Sequence, residues 1–171
     1  MRYLAAVLLC AACAAVSVAD PIDCTDNLFS DPSFEDGLTE TSWSYTTTSG
    51  NTVFQSTAGV ARTGTWAAVL GGQSGKTDFT TLHQTATIPE GKTVTFQFWV
   101  KHPVNSGNGV DHLELLIDGI SRVNFADNTN ISSSFLYFNL DVSAFADGLQ
   151  HTFQLQSITT GTPSGSYWIV D

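Results

Sequence analysis

The side chains that could do chemistry are spread along this chain instead of forming a motif. The chain has four histidines: His83, His102, His112 and His151. None of them shows the HExxH spacing of zinc hydrolases, and no cysteine pair lies near them. No Gly-x-Ser-x-Gly sequence joins a strand to a helix, so the sequence does not predict a serine nucleophile.

Two pairs of acidic residues have the groups needed for general acid–base catalysis. They are Glu35 with Asp36, and Asp111 with Glu114. No sequence feature brings two of these carboxylates to one substrate, and solvated surface is the simpler interpretation. We therefore predict that the protein is not an enzyme.

The tryptophans carry more information, because each lies in or beside a predicted strand. Trp43 follows a Gly-Leu turn and Trp168 flanks the last strand, so both are expected to be buried. Trp99 instead lies on a polar strand face between Gln97 and Lys101. An exposed ring beside an amide and an amine suits stacking and hydrogen bonding to a sugar, so these three residues form the predicted ligand-binding set.

The elements that position Trp99 are two alternating runs at 79–88 and 93–101, joined by the turn sequence Pro89-Glu90-Gly91. The period of two predicts strands, and together they predict a hairpin with one face in the core. The predicted inward residues are Leu82, Gln84, Ala86, Ile88, Val94, Phe96, Phe98 and Val100.

The rest of the chain has the same character, with turn signals every eight to twelve residues and no helical periodicity. It predicts an all-β fold, a two-sheet antiparallel β-sandwich of the jelly-roll type. The remaining strands are expected at 28–34, 43–48, 52–57, 66–70, 112–117, 121–125, 135–142, 151–158 and 166–171.

The first 19 residues have a positive start, a short apolar run and small residues before Asp20. They predict a signal peptide at 1–19, a secreted protein without membrane insertion, and one domain at 20–171. Cys24 would then be the single cysteine of the mature chain, as a free thiol or paired with another chain.

The formal net charge of −10 at pH 7 makes nucleic acid and anionic lipid poor partners. Asn130 begins one N-glycosylation sequon, which would make the protein a glycoprotein in a eukaryotic source.

Several separate pieces, in order, resemble galactose-binding-like jelly-roll domains, which include many carbohydrate-binding modules. The pieces are NL at 27–28, DPSFEDGL at 31–38, Trp43, TGTWAAVLG at 63–71, LHQT at 82–85, VTFQFWV at 94–100, DHLELLIDG at 111–119 and WIVD at 168–171. The likeness extends over nearly all of the mature chain. It implies that the first and last strands are neighbours and that carbohydrate, such as a cell-surface glycan, is the partner.

The same resemblance implies a structural calcium ion. Its ligands here would be Glu35, a carbonyl near Thr65, and Asp171. Calcium takes six to eight hard oxygen ligands and accepts carbonyls beside carboxylates.

Taken together, these features favour a secreted, non-catalytic, carbohydrate-binding module. A secreted structural or adhesive protein that contacts other proteins is the alternative. A jelly-roll polysaccharide lyase is a third, although nothing in the sequence pairs Arg62 or Arg122 with a histidine.

Overall fold

The computed structural model describes residues 27–72, 75–104, 109–127, 133–160 and 165–171. Within these residues the chain forms two five-stranded antiparallel sheets, which confirms the predicted jelly-roll sandwich. The strands are β1 Ser44–Thr47, β2 Phe54–Gln55, β3 Ala67–Gly72, β4 Asp78–Thr87, β5 Thr95–Val104, β6 His112–Ile117, β7 Ile120–Ala126, β8 Leu136–Asp141, β9 Gln150–Thr159 and β10 Ser166–Val170. Two short 3-10 helices, Gly37–Thr39 and Ser143–Phe145, lie in the connections.

Sheet A has the order β1-β4-β9-β6-β7, and sheet B has the order β2-β3-β10-β5-β8. The core lies between them. Leu82, Leu155 and Leu115 are register partners across three strands of sheet A, and each is at most 3% exposed. Trp43 and Trp168 are buried as predicted. Trp168 lies in β10, whereas Trp43 lies in the bend before β1 and donates its Nε1–H to the carbonyl oxygen of Asp31 at 2.9 Å.

The turn between β6 and β7 shows why these two neighbours pair directly. Asp118 and Gly119 both have positive φ angles, 53° and 76°. This is the backbone that a two-residue hairpin turn of the primed type requires, and Asp-Gly is a preferred sequence for it.

The predicted hairpin over 79–101 is wrong, although the two strands and their inward faces are confirmed. β4 pairs with β1 and β9, whereas β5 pairs with β8 and β10 in the other sheet. The segment that connects β4 to β5 hydrogen-bonds to the segment before β9: Ile88 N donates to Leu149 O, and Gly91 N donates to Ala146 O. The turn therefore carries the chain from one sheet to the other.

Two further expectations are wrong. The described residues of the predicted strand at 28–34 form bends and turns, because Asp31 and Phe34 have positive φ angles that no strand allows. The first and last strands are not neighbours, since β1 lies in sheet A and β10 in sheet B.

The signal peptide, Cys24 and the sequon at Asn130 lie outside the described residues. No helix in the described part of the chain is both long enough and apolar enough to span a membrane.

Candidate functional site

A row of hydrogen-bonding side chains crosses the outer face of sheet A. Strand registers align five residues, one from each strand, which we call the polar row: Thr46, Thr81, Gln156, Glu114 and Asn124. The next register along the sheet contains the buried leucines of the core, so the polar row must face outward. At about 4.8 Å between strands, it extends for about 19 Å.

Neighbouring side chains hold the polar row in place. Thr46 and Thr81 share a hydroxyl hydrogen bond of 2.8 Å, and Asn124 Nδ2 donates to Glu114 Oε1 at 2.9 Å. Gln154 Nε2 donates to Gln156 Oε1 at 3.1 Å. Among the described residues, nothing hydrogen-bonds to Glu114 Oε2 or to Gln156 Nε2. The polar row thus keeps a fixed acceptor and a fixed donor for a ligand.

Apolar and polar surfaces flank the polar row. On one side, the register partners Phe79, Ile158 and His112 form a second outward row, and Phe79 is 38% exposed. On the other side is a polar depression of about 290 Å³ lined by Ser30, Ser42, Ser44, His83, Gln84 and Thr85. An aromatic ring beside ordered polar groups is suited to a ligand that has both apolar faces and hydroxyl groups.

The predicted ligand-binding residues lie on the other sheet, along the outer face of β5. The Arg62 guanidinium lies 3.8 Å from the centre of the Trp99 ring and covers it, and Tyr137 packs at 5.1 Å. Lys101 is buried, and its Nζ donates to the carbonyl oxygen of Gly59 at 2.6 Å. Burial lowers the pKa of the Lys101 amine, while the nearby Asp171 acts in the opposite direction.

The third member of that set, Gln97, donates its amide to Thr95 Oγ1 at 2.9 Å. All three predicted residues therefore contact neighbouring protein groups. The 39% exposed ring of Tyr137 offers the better stacking surface on this side.

The predicted calcium ligands converge on one loop, at 62–66. The Glu35 carboxylate accepts hydrogen bonds from the main-chain N–H groups of Thr65 and Trp66, at 3.0 and 3.1 Å to Oε1. Asp171 Oδ2 accepts from the N–H groups of Arg62 and Thr63, the latter at 2.9 Å. Thr65 thus presents its amide to Glu35.

The loop reaches Glu35 because of Gly64, which has a φ of 64° and no side chain. A Cβ at this position would collide with the Glu35 carboxylate. Burial raises the pKa of Asp171; the N–H groups of Thr63 and Arg62 lower it, and the charge of Glu35 raises it again. The two carboxylates interact unfavourably through their charges, and each is bound by main-chain N–H groups of the same loop.

A second acidic group was not predicted from sequence. Asp31, Asp36 and Glu40 each have a carboxylate oxygen within 4.8 Å of the other two. Burial, followed by the contact with Glu40, raises the pKa of Asp31 to about 6. Asp31 also accepts from the N–H groups of Glu35 and Asp36, so this cluster shapes the turn that places Glu35.

Asp111 and Glu114, one of the acidic pairs considered for catalysis, face different environments. Asp111 is fully buried and accepts from the Thr160 N–H and hydroxyl, both at 2.7 Å. Glu114 faces outward in the polar row. The polar row itself has only a weak sequence signal, the polar residues that alternate with apolar ones in strands far apart along the chain.

No family model matches the sequence, and no curated protein is similar to it. Solved structures are similar in fold. A family 61 carbohydrate-binding module, TmCBM61, solved in complex with β-1,4-galactotriose, aligns with a TM-score of 0.61 at 14% identity. The alignment covers 85% of this chain and 94% of that one. The chain has the jelly-roll fold of carbohydrate-binding modules.

Two further structures extend the comparison. The family 16 carbohydrate-binding module-2 aligns at a TM-score of 0.54 and 17% identity, covering 85% of this chain and 96% of that one. The enzymatically active domain of bacteriophage CBA120 tailspike protein 4 aligns at 0.50 and 15% identity, covering 84% of this chain and 21% of that one. The fold thus occurs in binding modules and in part of a protein with an enzymatic domain.

Proposed function

We propose that this chain is a secreted, non-catalytic carbohydrate-binding module whose ligand lies along the polar row. The observation that carries this proposal is the polar row itself, in which Glu114 and Gln156 each keep a group that no described residue hydrogen-bonds, with the exposed ring of Phe79 beside it. Sugars present hydroxyl groups at their edges and C–H groups on their faces, and this surface offers a partner for each.

The charges of the polar row point to a neutral sugar chain. Glu114 is the single acidic side chain of the polar row, and no basic side chain belongs to it, which disfavours acidic ligands such as uronate polymers. A length of about 19 Å suits several sugar units in line. The complex of TmCBM61 with β-1,4-galactotriose supports a linear neutral oligosaccharide as the first ligand to test.

Binding is tested by isothermal titration calorimetry with β-1,4-galactan oligosaccharides, after a screen of insoluble polysaccharides by pulldown. We expect Gln156→Ala and Phe79→Ala each to weaken binding about fivefold, because each removes a direct contact of about 1 kcal/mol. Thr87→Ala is the matched control, an exposed residue of the same strand as Phe79 that lies outside both rows and outside the depression.

Trp99→Ala distinguishes the two sheets. If the ligand binds at the polar row, this variant should have unchanged affinity. If it binds at Trp99, Gln97 and Lys101, the variant should lose affinity. Loss of binding in Trp99→Ala with normal binding in Gln156→Ala would place the ligand on sheet B and refute the site proposed here.

We also propose that Glu35, Asp171 and a carbonyl near Thr65 hold a structural calcium ion. The support is that loop 62–66 gathers both carboxylates, whose repulsion a cation would remove. Calcium at about a hundred times its Kd would raise the free energy of unfolding by about 2.7 kcal/mol.

Thermal unfolding in calcium, magnesium and EDTA measures this effect. EDTA should lower the Tm, and Glu35→Gln should remove most of the response. The Glu90→Gln variant removes an exposed carboxylate outside both acidic groups and is expected to respond like the original protein. A Tm that is identical in calcium and EDTA would show that no such site exists.

A further inference from the structure

The polar depression beside the polar row exists because β1 covers only part of the edge of β4. β1 pairs with residues 80–83 of β4, and the pair at its beginning joins Ser44 to His83. The residue before Ser44 turns into the core, where the Trp43 side chain is buried. Within the described residues, no strand lies beside Thr85 on that side of sheet A. The surface is therefore hollow at this position.

Gln84 fixes the walls of the polar depression. Its side chain is buried and hydrogen-bonds to main-chain groups of the loop that precedes β1. Oε1 accepts from the N–H of Ser30 at 2.7 Å, and Nε2 donates to the carbonyl oxygens of Ser30 and Ser42 at 3.0 and 3.1 Å. A buried amide whose hydrogen bonds are all made in this way holds both serines in place, so the polar depression is preformed.

The lining of the polar depression has hydrogen-bonding groups that are available to a ligand. Ser30, Ser44 and Thr85 are exposed, and their hydroxyl groups hydrogen-bond to no described residue. His83 Nδ1 is buried without a hydrogen-bond partner in the described chain, which leaves Nε2 as the ring nitrogen that a ligand can reach. A serine or threonine hydroxyl can both donate and accept, as the hydroxyl groups of a sugar do.

The polar depression lies to the side of the polar row and not in line with it. The polar row runs across the strands, whereas His83 is two residues beyond Thr81 along β4, a distance of about 7 Å. A sugar chain on the polar row would therefore pass the polar depression on one side. The volume of about 290 Å³ equals the share of liquid volume of about ten water molecules, and one sugar unit has a similar number of non-hydrogen atoms.

We propose that the polar depression binds one neutral sugar unit that branches from the main chain, so that the ligand of this protein is a branched polysaccharide. The inference rests on the proposed binding of the main chain at the polar row. The branch leaves the sugar unit bound at Thr46 and Thr81, which is the end of the polar row nearest to Ser44 and His83. Its hydroxyl groups then meet those of Ser30, Ser44 and Thr85.

Charge and polarity select the kind of branch. His83 is the single ionisable side chain of the lining, and the carboxylate of Glu40 lies close by, where it accepts from the N–H of Ser42. A uronate, sulfate or phosphate group would approach this carboxylate without a lysine or arginine in the lining to balance its charge. An apolar group would cover hydroxyl groups without pairing them. A neutral sugar unit has neither disadvantage.

The probes are β-1,4-galactotriose, β-1,4-mannotriose and β-1,4-xylotriose, each used unbranched and with one neutral sugar unit attached. The branch is placed on the first ring in one form and on the last ring in another, because a chain can lie on the polar row in two directions. Affinities are measured by calorimetry. For a main chain that binds, we expect one branched form to bind about fivefold tighter than the unbranched form, as expected for even one added hydrogen bond.

Two variants test the polar depression from the protein side. His83→Ala removes a hydrogen-bonding ring, and Ser44→Leu fills part of the space with an apolar side chain. We expect both to abolish the preference for the branched form and to bind the unbranched form normally, which also shows that each variant is folded. Thr87→Ala is the matched control and should keep the preference. Gln156→Ala should weaken both forms about fivefold and keep their ratio, since it contacts only the main chain.

Different results would overturn this proposal and the proposed function. Equal or weaker binding of the branched forms, with all forms weakened in Gln156→Ala, would refute the branch site and leave the polar row supported. A preference that survives in both His83→Ala and Ser44→Leu would also refute the branch site. Absence of binding by every probe, or binding that Gln156→Ala leaves unchanged, would refute the polar row and this proposal with it.

Discussion

Two histidines, His102 in β5 and His151 in β9, have opposite environments. His102 stacks on Trp168 at 3.8 Å between ring centres, and its Nε2 lies 3.2 Å from Ser166 Oγ. His151 lies between two carboxylates, with Nδ1 at 2.7 Å from Asp118 and Nε2 at 3.0 Å from Asp147.

The carboxylates act differently on the two rings. Burial lowers the pKa of His102, although Asp127 at 3.5 Å and Asp111 act in the opposite direction. The hydrogen bonds to Asp118 and then Asp147 raise the pKa of His151. A nearby aspartate therefore raises the pKa of a histidine above its ordinary value only when its effect exceeds that of desolvation. This is the case at His151, where the contact is close and partly exposed, and not at the buried His102.

The largest expected effect is beside His102. Trp168→Ala should lower the free energy of unfolding by about 3–5 kcal/mol, because it removes a fully buried ring and leaves a cavity in its place. Urea unfolding at pH 7 measures the change. Tyr137→Ala, at a 39% exposed ring, is the control and should cost far less. Equal losses in the two variants would mean that the stacked pair is not part of a tightly packed core.

The next effect is the response to acid. A histidine whose pKa is lowered by folding contributes stability above about pH 6.5, and that contribution is lost as the pH falls towards the folded value. In His102→Phe, the free energy of unfolding should fall less steeply as the pH is lowered. The slope should decrease by up to about 1.4 kcal/mol per pH unit, the value for the uptake of one proton. Urea unfolding between pH 4 and 7 measures the slope. His151→Phe should leave the limb between about pH 5 and 6.5 unchanged, because the lowered pKa values of Asp118 and Asp147 affect stability only at more acid pH. A normal limb in His102→Phe would refute the assignment.

The smallest effect is at His151 and has the opposite sign. Its raised pKa contributes stability that is full below about pH 6.5 and is lost as the pH rises through the folded value. Asp118→Asn should lower stability by about 0.5–1 kcal/mol at pH 6 and by less at pH 9, since the pair is partly exposed. Chemical unfolding at the two pH values gives the comparison. An equal loss at both would show that the aspartate acts only through its neutral hydrogen bonds.

The sequence could predict the strands because their signal is local. Alternation alone placed Leu82, Phe96 and Phe98 in the core, and the structure confirms all three. Pairing is not local: whether the turn at 89–91 closes a hairpin or crosses between sheets depends on residues 142–149, which hydrogen-bond to this connection. The hairpin prediction failed for that reason.

The candidate site was harder to predict for the same physical reason. Trp99 lies on an outer sheet face as expected, but no feature near it reveals that Arg62, 37 positions earlier, covers its ring. The polar row draws one residue from each of five strands, so it exists only once the registers are known. Glu35 and Asp171 were predicted to share one site because of a family resemblance and not because of their spacing in the sequence.

The crossing of the chain between the sheets also affects how this protein folds. Among the longer ladders of the described residues, only β6 and β7 are neighbours along the chain, and β4 pairs mainly with β9, about 70 residues later. Contacts between such distant segments close large loops before they gain any stabilisation, which makes folding slow. During synthesis on the ribosome, one edge of β4 would stay unpaired until β9 has been made. We expect the nascent chain to be most prone to aggregation during that interval.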